Sequence, residues 1–294
     1  MKNLSVIIVS YQNVQILRDC LDSIKKYNDI GDELEVIVSD NSNDMDLFNT
    51  ISKEYDWVKI IKNENNGFGA GNNRGYEISS GKYLLFLNPD TILVEPIFGF
   101  AVEKFEKNTD LALFGVQLID FKGNKNSSFF MIDRYDFFST IFVKWCRRVG
   151  QFVDGKMFIS GSNLFVRRES FEQAGMFDEN IFMYKEEADL IKRIKLYSKA
   201  KITTFYKDKK IIHLEGGTEC GNVQSLSQLE RMWDADIYYS KKWDQSIKRI
   251  YIKRKRYQYF KCLIYKIAFQ KDKAEDVKRI IDFYNKKLDI INSL

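Results

Sequence analysis

From the first residues to about position 205, short runs of apolar residues alternate with stretches whose apolar positions recur every three to four residues. Leu4 to Val9, Leu34 to Val38, Tyr83 to Leu87 and Leu111 to Ile119 have the length of strands, with Val58 to Lys62 a shorter one, and their near-continuous apolar character suits parallel strands covered on both faces. Between them, Val14 to Tyr27 places Ile16, Leu17, Cys20, Leu21 and Ile24 on one helical face, and Asp46 to Tyr55 and Ala70 to Ser79, the latter closed by Gly81, also read as helices. Strands are predicted again at Ile159 to Arg167 and Ala200 to Phe205, with helices at Arg168 to Ala174 and Lys185 to Ser198. Asn124 to Asp154 is rich in aromatic residues without a clear period and predicts a long loop. The alternation implies an α/β fold with a doubly wound, mostly parallel sheet flanked by helices. From about Ser225 the pattern is helical, so the expected domains are residues 1–225 and a helical extension over 226–294.

The segments that close the strand-like runs are polar. Ser10-Tyr11-Gln12-Asn13, Asp40-Asn41-Ser42-Asn43-Asp44, Asn65 to Gly75 and Asn88-Pro89-Asp90-Thr91 follow four runs in order. Ligands of open α/β sheets collect beyond the carboxyl ends of the strands, which makes these segments the candidate rim of a ligand site. Asp40 can accept hydrogen bonds from a base or ribose hydroxyls, although Asp, Asn and Ser in that position also cap helices. Asn65 to Gly75 holds four glycines and four asparagines in eleven residues and opens a helix, giving a backbone-lined, electropositive start. Counting from Gly67, Asn72 stands where the dinucleotide fingerprint requires its third glycine, which argues against a Rossmann site.

A carboxylate at the exit of a buried strand, as Asp90 is, calls for a compensating cation or helix terminus. A divalent metal held by one or two carboxylates, with diphosphate oxygens in its other positions, fits; an Asx-Pro turn is the structural alternative. His213, the only histidine, precedes a Gly216-Gly217 turn and is placed to complete such a shell. Glu186, Glu187 and Asp189 open a helix, where its dipole favours acids, but acids close together raise one another's pKa and a partly desolvated one is a competent general base.

These segments, in this order, resemble family 2 glycosyltransferases of the GT-A fold over roughly residues 3 to 220, most closely the bacterial rhamnosyl- and galactofuranosyl-transferase type. The resemblance implies that Ser10 and Tyr11 border the nucleotide pocket, that Asp40 binds the uracil or thymine side of a UDP- or dTDP-sugar, and that Gly67, Asn72, Asn73 and Asn88 complete the donor site. Asp90 would coordinate Mg2+ or Mn2+ with His213, Asn88 standing where the family's Asp-x-Asp motif has its first acid. Ser160, Gly161 and Ser162 would line the pocket of a glycan or lipid-linked glycan acceptor, and the loop at 124–154 would face it. The Glu186-Glu187 pair matches the motif that supplies the catalytic base, with Glu187 where relatives carry Asp. The implied reaction is a single in-line displacement with inversion, in cell-surface polysaccharide or lipid-linked oligosaccharide assembly.

Charge adds a second theme. Residues 231–294 carry 17 Lys and Arg against 8 Asp and Glu, whereas residues 1–230 are net negative by four. Ser246 to Gln270 has eight basic and no acidic residues, interleaved with aromatic and aliphatic ones. That composition suits an anionic membrane surface; the alternative is a helix pair packed through its aromatics and solvated by its cations. Nucleic acid is disfavoured, because no nucleic-acid module accompanies the basic stretch. Cys20, Cys146, Cys220 and Cys262 form no Cys-x-x-Cys pair and read as free thiols. With no run of about 18 apolar residues and no leader pattern, the expected location is cytoplasmic, at the inner face of the cell membrane. Two other functions remain open: a sugar nucleotidyltransferase, which would need a basic Gly-rich triphosphate loop near the first strand, and a non-catalytic nucleotide-binding scaffold.

Overall fold

The computed structural model describes residues 2–132, 136–214 and 225–293. The chain divides into two compact units, residues 1–132 with 147–220, and residues 133–146 with 221–294. Cys220 and the Gly216-Gly217 turn lie outside the described residues.

In the first unit, β1 (Leu4–Ser10), α1 (Val14–Lys26), β2 (Leu34–Asp40), α2 (Asp46–Glu54), β3 (Val58–Lys62), α3 (Phe68–Glu77) and β4 (Tyr83–Leu87) form the alternating half. They are followed by β5 (Thr91–Leu93), α4 (Phe98–Lys107), β6 (Leu111–Ile119) and β7 (Phe129–Met131). After α5 (Phe137–Val149) come β8 (Met157–Ile159), β9 (Asn163–Arg167), α6 (Arg168–Gln173), α7 (Glu186–Tyr197) and β10 (Ile202–His213).

The large sheet has the order β3-β2-β1-β4-β9-β6-β10-β5. β3, β2, β1 and β4 are parallel to one another, as are β6 and β10, while β9 and β5 run antiparallel to their neighbours. Every residue of β2 and β4 is buried, which is why β4 reads as an unbroken apolar run and Leu34 to Val38 of β2 is interrupted only by Glu35. Leu17, Cys20, Leu21 and Ile24 of α1 cover one face of the sheet, and Asn13 caps α1 by accepting from the Ile16 N–H at 3.1 Å. Stacked rings of Phe114 and Phe165, 4.7 Å apart, tie β6 to β9. At the opposite end of the strands from the polar segments, the buried Glu35 carboxylate accepts from Ser5 Oγ and from the Ser80 and Gly81 N–H groups; although burial opposes ionisation, these donors and Lys59 lower its pKa to about 2.

Several expectations are corrected. The stretch 124–154 is no long loop: it contains β7, paired antiparallel with β8, and the three-and-a-half-turn α5. Ile159 to Arg167 is two strands broken at Ser160-Gly161-Ser162. The strand that begins at 202 runs on to His213, and α4, which the apolar pattern did not reveal, separates β5 from β6. Helix α3 spans Phe68–Glu77 against the expected Ala70 to Ser79, and Gly81 does not close it, because its N–H serves Glu35 and Ser5.

The second unit comprises the head of α5 with α8 (Leu226–Lys242), α9 (Ile247–Ile267) and α10 (Lys271–Ser293). A Ser225–Gln228 capping box starts α8. Leu229, Trp233, Ile250, Tyr251, Phe283 and Tyr284 form its main core, with a smaller cluster of Cys262, Ala274, Val277 and Ile281. Asp236 is buried and paired with Arg254, which satisfies both charges. Among the described residues no helix is long and apolar enough to cross a membrane.

Candidate functional site

Parallel register aligns Ser10 with Asp40 and Asp40 with Lys62, so three polar residues terminate β1, β2 and β3 side by side. Asp40 is fully buried; its Oδ1 accepts from the Ser42 N–H at 2.8 Å and its Oδ2 lies 3.0 Å from Lys62 Nζ. Lys62 also donates to the Ser42 and Asp44 carbonyls and thereby pins the turn after β2. This lysine was missed from sequence, although its position as the last residue of a strand expected beside Asp40 was a usable signal. Ser42 Oγ accepts from the N–H of Gln12, which is held at φ 61°, and Tyr11 beside it is exposed.

The third segment joins the second through Asn41, whose amide donates to the Gly67 carbonyl at 3.3 Å. Gly67 has φ 102°, and a Cβ there would overlap the Phe182 carbonyl, which accepts from the Phe68 N–H at 3.0 Å. The two asparagines of α3 differ. Asn72 donates to the Phe68 carbonyl and leaves its buried Oδ1 without a partner. Asn73 exchanges hydrogen bonds with the Phe177 backbone and donates to Glu179, so its amide holds the 177–179 turn.

Asn88, Asp90 and His213 converge on Ser162. Asn88 donates to the Ser162 side chain and backbone at 3.4 Å, Ser162 Oγ is 3.2 Å from His213 Nε2, and that nitrogen is 3.3 Å from Asp90 Oδ1. Antiparallel pairing of His213 with Thr91 and a bond from the Leu214 N–H to the Asp90 carbonyl at 3.0 Å set this geometry. Asn126, also missed, donates to the His213 carbonyl.

One residue before Ser162, the Gly161 N–H donates to Glu187 Oε1 at 2.8 Å, and a side chain at Gly161 would collide with that carboxylate. Burial raises the Glu187 pKa against the pull of this N–H and of Lys185. Glu186 is buried with Oε2 unpartnered; burial first, then the charge of Glu187, hold its carboxyl well above the usual range. Both follow Tyr184 and Lys185, two non-glycine residues at φ 70° and 87°, a costly conformation concentrated at functional sites. Asp189, fully buried, is instead committed to Arg193 at 2.7 Å, and Arg193 holds the Ala174 and Met176 carbonyls.

The sequence-selected residues from Ser10 to His213 therefore gather at the carboxyl ends of the strands and the loops beside them, with Asp40, Asn73 and Asp189 engaged in bonds within the protein. Four buried atoms there, Ser10 Oγ, Asn72 Oδ1, Asn88 Oδ1 and Asp90 Oδ1, make no hydrogen bond among the described residues. An unmade bond of this kind costs about 1–3 kcal/mol, which a ligand with matching groups offsets. Among the described residues no three His, Cys, Asp or Glu side chains cluster; Asp90 and His213 stand as a pair 3.3 Å apart.

Residues 5–175 match the profile described as Glycosyl transferase family 2. Rhamnosyltransferase WbbL of Escherichia coli is 26% identical over 226 residues, covering 65% of this chain and 76% of that protein. Poly(ribitol-phosphate) beta-glucosyltransferase of Bacillus spizizenii is 29% identical over 132 residues, or 43% of this chain, and the match spans only 21% of that longer protein. The mannosyltransferase PcManGT of Pyrobaculum calidifontis, solved with GDP-Man and Mn2+, superposes with a TM-score of 0.55 at 14% identity, covering 74% of this chain and 58% of that one. At that identity the superposition speaks for the fold alone, and the fold is GT-A. With more than half of its length matched, the chain belongs to glycosyl transferase family 2.

Proposed function

We propose that the protein is an inverting, metal-dependent glycosyltransferase that moves a sugar from a UDP- or dTDP-sugar to a hydroxyl of a glycan or lipid-linked glycan. The observation that carries this reading is the tripeptide Ser160-Gly161-Ser162, which contacts a desolvated carboxylate through Gly161 and the Asp90–His213 pair through Ser162. The relatives' names, a rhamnosyltransferase and a poly(ribitol-phosphate) glucosyltransferase, agree with transfer of a sugar, in the second case to a polymer. Family membership sets aside the nucleotidyltransferase alternative.

Glu187 acts as the base. Its raised pKa strengthens its affinity for a proton, and the Gly161 N–H fixes which oxygen faces away from the acceptor. The acceptor hydroxyl gives its proton to Glu187 while its oxygen bonds to the anomeric carbon, and the bond from that carbon to the diphosphate breaks on the opposite face. Ser10, Asp40 and Asn72 orient the nucleoside. The donor set fits a divalent ion, because Asp90 Oδ1 and Asn88 Oδ1 are buried without hydrogen bonds among the described residues and His213 Nε2 stands beside the first. Bound at Asp90 and His213, Mg2+ or Mn2+ would supply Lewis-acid neutralisation of the diphosphate.

Calorimetric titration of UDP, dTDP and GDP, with Mn2+ and then with EDTA, tests the assignment on the wild type and on Asp90→Ala. UDP or dTDP is expected to bind only with metal, and Asp90→Ala to lose that dependence and the transfer activity while keeping its fold by circular dichroism. Wild-type turnover in Asp90→Ala would overturn it.

A further inference from the structure

The helical unit exposes an apolar surface where a soluble bundle would place polar residues. On α5, Phe138, Ile141, Phe142 and Trp145 recur at helical spacing and all face solvent, Phe138 at 80% and Trp145 at 51% exposure, while the smaller Thr140, Val143 and Cys146 are buried. On the second half of α9, Phe260, Leu263, Ile264 and Ile267 form a similar stripe, which ends in Phe269 at 90% exposure. These residues are not the packing face of α9, since Ile250, Tyr251 and Cys262 fill the cores against α8 and α10. Phe137, at the head of α5, packs edge-on against Phe260 with ring centroids 4.4 Å apart, which joins the two stripes. Exposed apolar patches of this kind mark interaction surfaces.

Charge indicates the occupant. The stripe of α9 continues towards the helix start in Arg249, Lys253 and Arg256, all exposed and spaced four and three residues apart, so one face is cationic and then apolar. Among the eight basic side chains of α9 there is no acid, and Glu275 and Asp276 at the start of α10 are paired with Lys278 and Arg279. Asp136 at the head of α5 faces Lys253 and is held below its usual pKa, first by the Ser139 N–H and then by that cation, which leaves Arg249 and Arg256 as the outward charges of the stripe. Aromatic and aliphatic side chains flanked by an excess of cations match a bilayer interface, where rings and methyls enter below the headgroups and cations meet their phosphates. We propose that the surface formed by α5 and α9 docks the protein on an anionic lipid bilayer. It belongs to the unit that lacks Asp90 and Glu187, so it can fail without disturbing the donor site.

Flotation of the full chain with phosphatidylcholine vesicles, with and without phosphatidylglycerol, tests this. The protein is expected to float only with the anionic vesicles and to be released as salt rises. Arg249→Glu with Arg256→Glu is expected to weaken partitioning by about fivefold or more per charge. Leu263→Ser with Ile267→Ser is expected to abolish flotation even at low salt, with UDP binding and melting temperature unchanged in both pairs. Vesicle binding should shift Trp145 emission to the blue, and Trp145→Phe should remove that shift. Wild-type protein that stays with the soluble fraction would overturn the proposal, as would retained flotation in the Leu263→Ser, Ile267→Ser pair. Self-association in sedimentation velocity that this pair abolishes, without vesicle binding, would assign the surface to a second copy of the chain instead.

Discussion

Three acids open α7 within four residues, and their surroundings give them different work. Glu187 is half-buried, held by the Gly161 N–H and raised in pKa, whereas Asp189 is closed on Arg193 and Glu186 is fully enclosed. Sequence alone located the cluster but could not rank its members, because the selecting contacts come from Gly161 and Arg193, 26 residues upstream and four downstream. Because a base works only when deprotonated, and the Glu187 pKa lies above its ordinary value, the acidic limb of the kcat profile is expected above the normal carboxylate range. Glu187→Gln should lower kcat by roughly 10^2 to 10^4 and flatten that limb, with UDP affinity within about twofold of wild type. An unchanged acidic limb in Glu187→Gln would show that another group titrates there.

At the scale of elements, polar segments at strand ends were legible because β1, β2 and β4 are buried and apolar over the residues that lead up to Ser10, Ser39-Asp40 and Asn88. The break between β8 and β9 was not legible, since Ser160-Gly161-Ser162 lies between apolar neighbours and only the contacts with Glu187 and His213 reveal it. Helix α5 was legible but missed: Phe138, Ile141, Phe142 and Trp145 recur at helical spacing inside the aromatic-rich stretch 124–154, and their outward direction on a helix of mixed burial appears only in the structure. The donor loop at Gly67 leans on the Phe182 carbonyl of the loop that leads into α7, so one backbone contact serves both loops. Gly67→Ala is expected to destabilise the protein by about 2 kcal/mol or more, from a backbone cost of about 1–3 kcal/mol at φ 102°, ψ 176°, a conformation essentially confined to glycine, plus steric overlap. Gly123→Ala, at φ 80° with open space around it, carries the backbone cost alone. Urea midpoints of the two variants separate the contributions, and equal losses would mean that the Phe182 contact is unimportant.

At the scale of the whole molecule, each compact unit has a core of its own: the sheet of the first and the Trp233–Tyr251–Tyr284 cluster of the second. The chain path between them was only partly legible, because the change to helical pattern near 225 marks one crossing while the short piece at 133–146, inside the first unit's sequence, gives no compositional signal. All the residues assigned to the donor, the acceptor and the base fall in the first unit. A ligand that binds only the folded form of one unit stabilises that unit by mass action, by about 2.7 kcal/mol at a hundred times its Kd. For a unit of this size that raises the melting temperature by roughly 5–10 °C. Calorimetric scans with UDP and Mn2+ are therefore expected to move one unfolding transition upward and to leave a second in place, while anionic vesicles act on the second. A single transition that moves as a whole with UDP would show that the two units unfold as one cooperative body. In that case Leu263→Ser with Ile267→Ser, which leaves both cores intact, becomes the decisive comparison, because it removes the vesicle effect without touching the shift caused by UDP.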